Sequence, residues 1–475
     1  MRRAKIVCTV GPSSYSQEIL EQLLAGGMDV ARLNFSHGTH KQHAETIEKL
    51  RSASLRVRKA VGILGDLQGP KMRTGRLTKG GVELKEGAEF TITTNQSAEG
   101  NEQIVSTSYL YLAEDVKEGD KILLDDGLLE LRVLSSDGKT NVRTQVVHGG
   151  VLKNNKGINM PGVALRGEAL TPKDRADLLF GIKAGLDYVG LSFVRHPSDI
   201  DQARAAMATA GREVPVIAKL EKPEALTRLD AILEKADGVM VARGDLGVEI
   251  APEDVPAIQK DIIRRANRRG IPVIVATQML NSMIDQPLPT RAEASDVANA
   301  IYDGADALML SGETASGKFP IQAAQMMDRI ILSAEASVRK DPERPIPDLI
   351  AIPASFPDVI CGIACRAARE MAAKLIVVFT LSGATARLLS HYRPSVPIIA
   401  FSPNQIVRRR LALLWGVVPR VLEPIQETEA MVRRVEEELL SRGLANKADR
   451  VVIVFGAPIG QPGKINSVRL HTITS

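Results

Sequence analysis

Residues 32–38 read RLNFSHG at the end of an apolar run, and they carry more chemical information than any other stretch of the chain. Arg32, Asn34 and Ser36 alternate with Leu33 and Phe35, so in a β-strand the three polar side chains lie on one face. A guanidinium, an amide and a hydroxyl on one face at a strand end are suited to holding a phosphate and a metal ion. The alternative is a half-exposed strand that leads into a turn.

The same pattern, an apolar strand that ends in polar residues, recurs over the first two thirds of the chain. Most of the apolar runs are followed by a segment with helical periodicity, whose start is often marked by proline and an acidic residue. Eight strand–helix units in succession predict a TIM (β/α)8 barrel, an α/β fold whose functional groups lie at the carboxyl ends of the strands. The runs are residues 5–10, 30–35, 61–66, 188–193, 214–221, 238–245, 272–279 and 305–312.

Two regions depart from this alternation. After the third run, short strand patterns and the hairpin signals Asp126-Gly127 and Asp137-Gly138 indicate a small inserted β-barrel domain, able to act as a hinged lid. A linker-like segment at 341–347 precedes four further strand patterns and three helical ones, which indicate a smaller α/β domain. The predicted domains are a discontinuous catalytic barrel at 1–69 and 168–340, a β-barrel lid at 70–167 and a regulatory α/β domain at 341–475.

Composition excludes several classes of protein. The 475 residues are 44% hydrophobic and 25% charged with a net charge of +5, as in an ordinary soluble globular protein of several domains. Nucleic-acid binding is not expected, because only 3% of residues are aromatic and the one dense basic run, 408–410, is interpreted as a solvated helix face. The three cysteines form no disulfide or zinc pattern. We expect no membrane span, no signal peptide and a cytoplasmic location.

The ends of the later strands carry further candidate groups. Lys219 and Glu221 are two residues apart and therefore share a strand face, although a structural ion pair would give the same pattern. With Asp245 on the next strand, Glu221 would form an oxygen site suited to magnesium or manganese; alternatively, Asp245 caps a helix after a turn. The backbone of Gly244 can approach a ligand closely, and Thr277 could add a hydroxyl.

Five motifs closely resemble those of pyruvate kinases, and they occur in the same order. They are RLNFSHG at 32–38, KLE at 219–221, ARGDLG at 242–247, ATQML at 276–280 and MLSGETA at 309–315. The resemblance extends from Lys5 to the end of the chain, and no further domain is expected. It implies transfer of the phosphoryl group of phosphoenolpyruvate to ADP, which gives pyruvate and ATP in the last step of glycolysis.

The resemblance also implies a role for each candidate residue. Glu221 and Asp245 would bind magnesium or manganese, and Lys219 would stabilise the phosphoryl group during transfer. A proton would then reach the enolate from the side of Thr277 and Ser311, through water. The substrate-binding residues would be Arg32, Lys219, Gly244, Asp245 and Thr277, and the nucleotide-binding residues Arg32, Asn34, His37, Arg73 and Lys156.

One position departs from the commonest pattern of the family. Members that require potassium hold it with groups matching Asn34, Ser36, Asp66 and the carbonyl of Leu67, and they have glutamate where this chain has Lys71. Relatives with lysine at this position generally need no potassium, because the ammonium supplies the positive charge. We therefore predict activity without a monovalent cation.

The last third of the chain contains a candidate regulatory site. Thr380, Ser382, Gly383 and Thr385 lie between a strand and a helix, where amides and hydroxyls bind phosphate in allosteric members of the family. An ordinary turn with Ser382 as the helix cap is the alternative. The effector could be a sugar monophosphate, a sugar bisphosphate or AMP, and residues 456–463 would close over it. By analogy with the family, a homotetramer is expected.

Two other functions are compatible with parts of the sequence. An aldolase or lyase of small keto acids could use Lys219 as a Schiff base. A catalytically inactive relative could serve as a sensor through the C-terminal region.

Overall fold

The computed structural model describes residues 1–163, 166, 168–339, 355–423, 425, 427–457 and 465–474. The strands in this part of the chain are β1 Lys5–Thr9, β2 Val30–Asn34, β3 Gly62–Asp66, β4 Gly81–Leu84, β5 Glu89–Thr93, β6 Ile104–Ser106, β7 Lys121–Leu124, β8 Leu129–Ser136, β9 Asn141–His148, β10 Gly150–Lys153, β11 Ile158–Asn159, β12 Tyr188–Leu191, β13 Val216–Leu220, β14 Gly238–Ala242, β15 Val273–Ala276, β16 Ala307–Leu310, β17 Leu375–Phe379, β18 Ile398–Phe401, β19 Val417–Arg420, β20 Arg450–Phe455 and β21 Ser467–Thr472.

The helices of the described residues connect and cover these strands. They are α1 Gln17–Ala25, α2 His40–Arg56, α3 Leu112–Asp115, α4 Pro172–Ala184, α5 Pro197–Ala208, α6 Pro223–Thr227, α7 Leu229–Lys235, α8 Arg243–Glu249, α9 Val255–Arg268, α10 Arg291–Asp303, α11 Gly312–Ala315, α12 Pro320–Arg339, α13 Phe356–Glu370, α14 Ala384–His391, α15 Gln405–Arg410 and α16 Thr428–Ser441, with short 3-10 helices at Pro252–Asp254, Asn281–Ile284 and Leu411–Leu413.

Eight parallel strands form a closed barrel in the order β1-β16-β15-β14-β13-β12-β3-β2. Each of the eight predicted runs contains one of them, so the predicted TIM barrel is confirmed. Side chains alternate as a strand requires: Val7 faces the cluster inside the barrel, whereas Ile6 and Cys8 join the larger core between strands and helices. All eight strands run in the same direction, so their carboxyl ends meet at one mouth of the barrel.

Several barrel helices begin at the caps that their sequences predict. Thr290 accepts a hydrogen bond from the amide of Glu293, whose side chain reaches back to the Thr290 amide and completes a capping box at the start of α10. Thr171 and Asp174 form an equivalent box at the start of α4, with Pro172 in the first helical position.

The segment between β3 and α4 is called the insert below, and it has a β core of its own. Strands β11-β7-β8-β9-β5-β6 form one sheet, and β10 pairs with β4 in a second. The hairpin predicted at Asp126-Gly127 joins β7 to β8, with positive φ at both residues. Residues 73 and 74 link the two edges of the six-stranded sheet, because Arg73 forms a β-bridge with Gly157 beside β11 and Thr74 forms one with Thr107 beside β6. The expected small β-barrel domain is therefore present.

The C-terminal region contains a five-stranded sheet in the order β19-β18-β17-β20-β21, of which only β21 is antiparallel to its neighbour. Side chains of α13 and α14 cover one face and those of α16 the other. The α/β class is as expected, and α14 is the helix predicted after the Thr380–Thr385 segment, although β19 was not predicted. The predicted linker at 341–347 lies outside the described residues. Within the described chain, no helix combines the length and apolar character needed to cross a bilayer.

Candidate active site

A buried network of ion pairs joins the ends of β2, β3 and β13. The Arg32 guanidinium donates to Asp66 Oδ2 at 2.6 Å and to the Thr9 hydroxyl at 3.1 Å. On its other oxygen Asp66, which is 1% exposed, contacts the Lys219 ammonium at 3.1 Å. The cations outweigh the effect of burial and lower the pKa of Asp66, so this carboxylate stays ionised.

The Lys219 ammonium is held by three acceptors. Its Nζ lies 2.8 Å from Glu221 Oε1 and 3.1 Å from Asp66 Oδ1, and it donates to the Ser192 hydroxyl at 2.7 Å. Burial lowers the pKa of Lys219, but Asp66 and Glu221 more than offset this, and the net effect raises it. A lysine that keeps its proton is suited to stabilising an anion. It is poorly suited to forming a Schiff base, which needs the neutral amine. The retained proton therefore disfavours an aldolase that uses Lys219 as a Schiff base.

Glu221 and Asp245 form a pair of carboxylates next to Lys219. Glu221 is 1% exposed and accepts the amide of Phe193 at 2.7 Å. Burial raises the pKa of Glu221, and the negative charges of Asp245 and Asp66 add to this effect while Lys219 opposes it. Carboxylates that repel each other in this way fit a divalent cation between them. The described residues hold no group of three or more acidic, His or Cys side chains able to bind a metal, so substrate and water would complete the ligands.

The loops after β14 and β15 are joined by a hydrogen bond. The Gly244 amide donates to Thr277 Oγ1 at 2.7 Å, and the same hydroxyl donates to the carbonyl of Ala276 at 2.7 Å. A Cβ at Gly244 would lie 3.3 Å from Thr277 Oγ1, so a side chain there would crowd this contact. Thr277 and Gln278 have φ of 71° and 54°, a strained conformation for residues other than glycine that active sites often contain.

Ser311 lies at the end of β16, next to the strand that precedes Thr277. Its amide donates to Glu313 Oε2 at 2.7 Å. Thr277 and Ser311 thus follow neighbouring strands, but no hydrogen bond joins their hydroxyls in the described chain.

The candidate nucleotide-binding residues fall into two groups. Asn34 and His37 lie where β2 ends, and the Asn34 side chain accepts the amide of Ser36 at 3.1 Å. Arg73 and Lys156 lie together on the insert, because Arg73 forms a β-bridge with Gly157. The Lys156 ammonium contacts Asp125 Oδ1 at 2.8 Å, and the Arg73 guanidinium donates to the carbonyl of Asn155 at 3.1 Å.

Lys71 lies beside the carboxylate pair. Its ammonium is 3.3 Å from Asp245 Oδ1 and 4.0 Å from Asp126 Oδ1. In the described chain it makes no hydrogen bond to Asn34, Ser36, Asp66 or Leu67, the four groups of the predicted monovalent-cation site. The carbonyl of Leu67 instead accepts the Ser192 hydroxyl at 2.7 Å.

Comparison with known proteins gives the family. A family model described as the pyruvate kinase barrel domain matches residues 1–324, and one described as the pyruvate kinase alpha/beta domain matches residues 358–471. The chain belongs to the pyruvate kinase family. It is therefore a phosphotransferase, and the resemblance of its five motifs to this family is confirmed.

Individual relatives agree with this assignment. The chain is 47% identical to the pyruvate kinase of Corynebacterium glutamicum over 99% of its own length and 98% of that protein, and 46% identical to that of Mycobacterium tuberculosis with the same coverage. It is 44% identical to the Geobacillus stearothermophilus pyruvate kinase and covers 81% of it. The crystal structure of a Cryptosporidium parvum pyruvate kinase superposes with a TM-score of 0.90 at 37% identity, covering 99% of this chain and 96% of that one.

The candidate effector loop has the geometry of a helix start. The Gly383 amide donates to the Thr380 hydroxyl at 2.8 Å, and Gly383 has a φ of 90°. Gly383 itself occupies the N-cap position of α14, whereas Ser382 receives only a 3.4 Å contact from the Ala384 amide and Thr385 is buried in the first turn. Of the segment 456–463 expected to close over this loop, residues 458–463 lie outside the described residues.

Several residues of the site were missed by sequence reasoning. Thr9 and Ser192 end β1 and β12 with a hydroxyl, so the strand-end pattern could have found both. Lys222, Glu249 and Asn159 form a buried cluster where the insert meets the barrel, beside a cavity of about 30 Å3. No local sequence signal could have found this cluster, because its members are far apart in the chain.

Proposed function

We propose that the enzyme transfers the phosphoryl group of phosphoenolpyruvate to ADP, giving pyruvate and ATP. The observation that carries the proposal is the Lys219 ammonium, held by acceptors from three neighbouring strands beside the carboxylates of Glu221 and Asp245. Phosphoryl transfer through a loose transition state depends on positioning and on neutralising charge, and this arrangement supplies both.

The surrounding groups fit the two substrates. Magnesium or manganese held by Glu221 and Asp245 would neutralise negative charge on phosphoenolpyruvate. The Gly244 amide and the Thr277 hydroxyl would receive the substrate's carboxylate. The guanidinium groups of Arg32 and Arg73 suit phosphate oxygens because of their planar fork. Asn34, His37 and Lys156 would contact ADP.

The second chemical step is protonation of the enolate at carbon. The raised pKa of Lys219 makes its ammonium a weak acid, which supports assigning this residue to phosphoryl transfer. Thr277 and Ser311 follow adjacent strands on the other side of the site, and their hydroxyls could relay a proton from water.

Pyruvate formation coupled to lactate dehydrogenase tests the reaction. We expect oxidation of NADH only when phosphoenolpyruvate, ADP and a divalent cation are all present, and loss of the signal with chelator. Turnover without ADP would indicate a phosphatase, and no turnover by the folded protein would contradict the proposal.

We also propose that the enzyme needs no potassium, because Lys71 supplies a fixed positive charge. The position of its ammonium, 3.3 Å from Asp245, supports a positive charge beside the proposed metal site. Turnover of the wild-type enzyme should change by less than about tenfold, or ~1.4 kcal/mol of barrier, when potassium is added to a sodium- and potassium-free assay. Lys71→Glu should lose activity and regain it with potassium. A larger potassium effect on the wild type would contradict the proposal.

Regulation and assembly extend the proposal. A phosphorylated effector would bind at Thr380, Ser382, Gly383 and Thr385, where amide and hydroxyl groups are available. Saturation curves for phosphoenolpyruvate with glucose 6-phosphate, fructose 1,6-bisphosphate or AMP test this, and identical curves with all three would contradict it.

We expect a homotetramer, and the exposed apolar stripe of Phe356, Val359 and Ile363 on α13 supports burial against another copy. Light scattering that gives a monomer mass would contradict this expectation.

A further inference from the structure

Helix α8 carries two carboxylates on one face. Asp245 and Glu249 are four residues apart in this helix, so their side chains project in the same direction. Asp245 is one of the proposed metal ligands. Glu249 is 6% exposed, lies one turn further from the strand end, and has no role in the reaction described above.

One oxygen of Glu249 joins the barrel to the insert. Glu249 Oε1 lies 2.5 Å from the Lys222 ammonium and accepts the Asn159 amide at 2.7 Å. Lys222 directly follows Glu221, whereas Asn159 belongs to β11 of the insert. The side chains of Lys222 and Asn159 are almost as buried as that of Glu249, so water does not replace either partner.

The insert touches α8 at two further points along the same helix. Lys71 contacts Asp245, and a Cβ at Gly127 would lie 3.8 Å from Val248. A metal ion at Asp245 would compete with the Lys71 contact. The contact between Asn159 and Glu249 involves no proposed ligand of metal or substrate, and it can therefore persist while the site is filled.

Asn159 lies close in the chain to the proposed nucleotide-binding residues, so its contact with Glu249 also affects their position. Lys156 and Gly157 lie just before β11, and Gly157 forms the β-bridge to Arg73. Fixing Asn159 on α8 therefore fixes the segment that carries two of the proposed nucleotide-binding cations at the mouth of the barrel.

We propose that Glu249 is a positioning residue that fastens the insert to α8 through Asn159 and thereby holds Arg73 and Lys156 in place for ADP. The contact with Lys222 holds the Glu249 carboxylate in place beside Asn159. Glu249 touches neither substrate. The inference rests on the proposed function in one respect, namely that the insert contributes to the nucleotide site.

The substitution Asn159→Ala tests this directly, because it removes the bond from the insert and leaves the buried pair of Lys222 and Glu249 intact. Asn141→Ala is the matched control, since Asn141 lies in the same insert and its side-chain amide donates to Asp137 and Thr140 of the adjacent turn. The two readouts are hydrogen–deuterium exchange of the insert's peptides and the separate KM values for ADP and phosphoenolpyruvate.

We expect Asn159→Ala to speed exchange in the insert and to raise the KM for ADP by about tenfold, with a much smaller change in the KM for phosphoenolpyruvate. Asn141→Ala should leave all three quantities unchanged.

Exchange and KM values of Asn159→Ala equal to those of the control would overturn the proposal. Equal increases in the KM values for ADP and phosphoenolpyruvate, with unchanged exchange, would also overturn it, because they would indicate a general defect of the site. The exchange measurement needs no turnover, so it decides the role of Glu249 even if the wild-type enzyme fails to use phosphoenolpyruvate.

Discussion

At the scale of single residues, the ammonium of Lys219 has three hydrogens, and the structure provides three acceptors. Two are carboxylates and the third is the Ser192 hydroxyl, which donates its own hydrogen to the Leu67 carbonyl. This donation turns a lone pair of Ser192 towards Lys219. The hydroxyl therefore fixes the direction of the ammonium, which the two carboxylates alone would pull towards themselves.

We predict that Ser192→Ala lowers kcat by about tenfold and changes the KM for phosphoenolpyruvate much less. A misdirected Lys219 ammonium would weaken phosphoryl transfer more than substrate binding. The coupled assay measures both constants. Ser402→Ala is the control, since Ser402 is equally buried but lies in the C-terminal sheet region. A kcat for Ser192→Ala equal to that of the control would show that Ser192 does not position Lys219.

At the scale of elements, an aspartate precedes every second strand of the barrel. Each of these carboxylates accepts the amide of a residue in the neighbouring strand at 2.9–3.0 Å, and each also pairs with an arginine. The barrel strands are thus tied in four pairs at the end opposite the active site. The groups are Asp29 with Ile6 and Arg2, Asp187 with Ile63 and Arg51, Asp237 with Val216 and Arg204, and Asp306 with Val273 and Arg393.

The contribution of Asp29 to stability depends on pH and can therefore be measured. Burial by itself raises the pKa of Asp29, but Arg2, Lys59 and Lys5 outweigh it and lower the pKa from 3.8 to about 2. A carboxyl group with a depressed pKa stabilises the fold fully above pH 3.8, and this stabilisation is lost as the pH falls towards 2.

We predict that Asp29→Asn lowers the free energy of unfolding by about 2 kcal/mol near neutral pH. The gap between the variant and the wild type should stay constant above about pH 5 and shrink below pH 4. Urea unfolding at a series of pH values measures the gap. A gap that widens as the pH falls would contradict the assigned pKa.

Some elements of the fold could be predicted from the sequence alone, and others could not. The barrel strands were predictable because each is a continuous apolar run, as strands buried on both faces must be. Strand β19 was missed because it is four residues long and contains Pro419. The bond between Asn159 and Glu249 could not be predicted, because 90 residues separate them and it depends on where the insert docks.

At the scale of the whole molecule, the C-terminal region completes the core of the barrel. Leu413 is 1% exposed and belongs to the cluster inside the barrel, together with Val7, Leu64 and Tyr188. Tyr188 also donates its hydroxyl to the carbonyl of Arg410. The 3-10 helix Leu411–Leu413 therefore closes the end of the barrel opposite the active site.

Because Leu413 packs inside the barrel, we expect this residue of the C-terminal region to contribute to the stability of the barrel. Leu413→Ala should lower the free energy of unfolding by about 3 kcal/mol, because it opens a cavity at the floor of the barrel. Leu470→Ala, at a side chain that is 54% exposed, should change it by a few tenths at most. Chemical unfolding followed by circular dichroism compares the two variants. Equal losses would mean that Leu413 contributes no more than a surface leucine.

The most direct test of phosphoryl transfer at this site is phosphorus-31 NMR of the wild-type enzyme and of Lys219→Gln, each with phosphoenolpyruvate, ADP and magnesium. We predict that in the wild type the phosphoenolpyruvate signal is replaced by the γ-phosphate signal of ATP, with no inorganic phosphate. Lys219→Gln should slow this conversion by about 100-fold or more, because the charge that stabilises the phosphoryl group is lost. Release of inorganic phosphate by the wild type, or equal rates for the two proteins, would contradict the account.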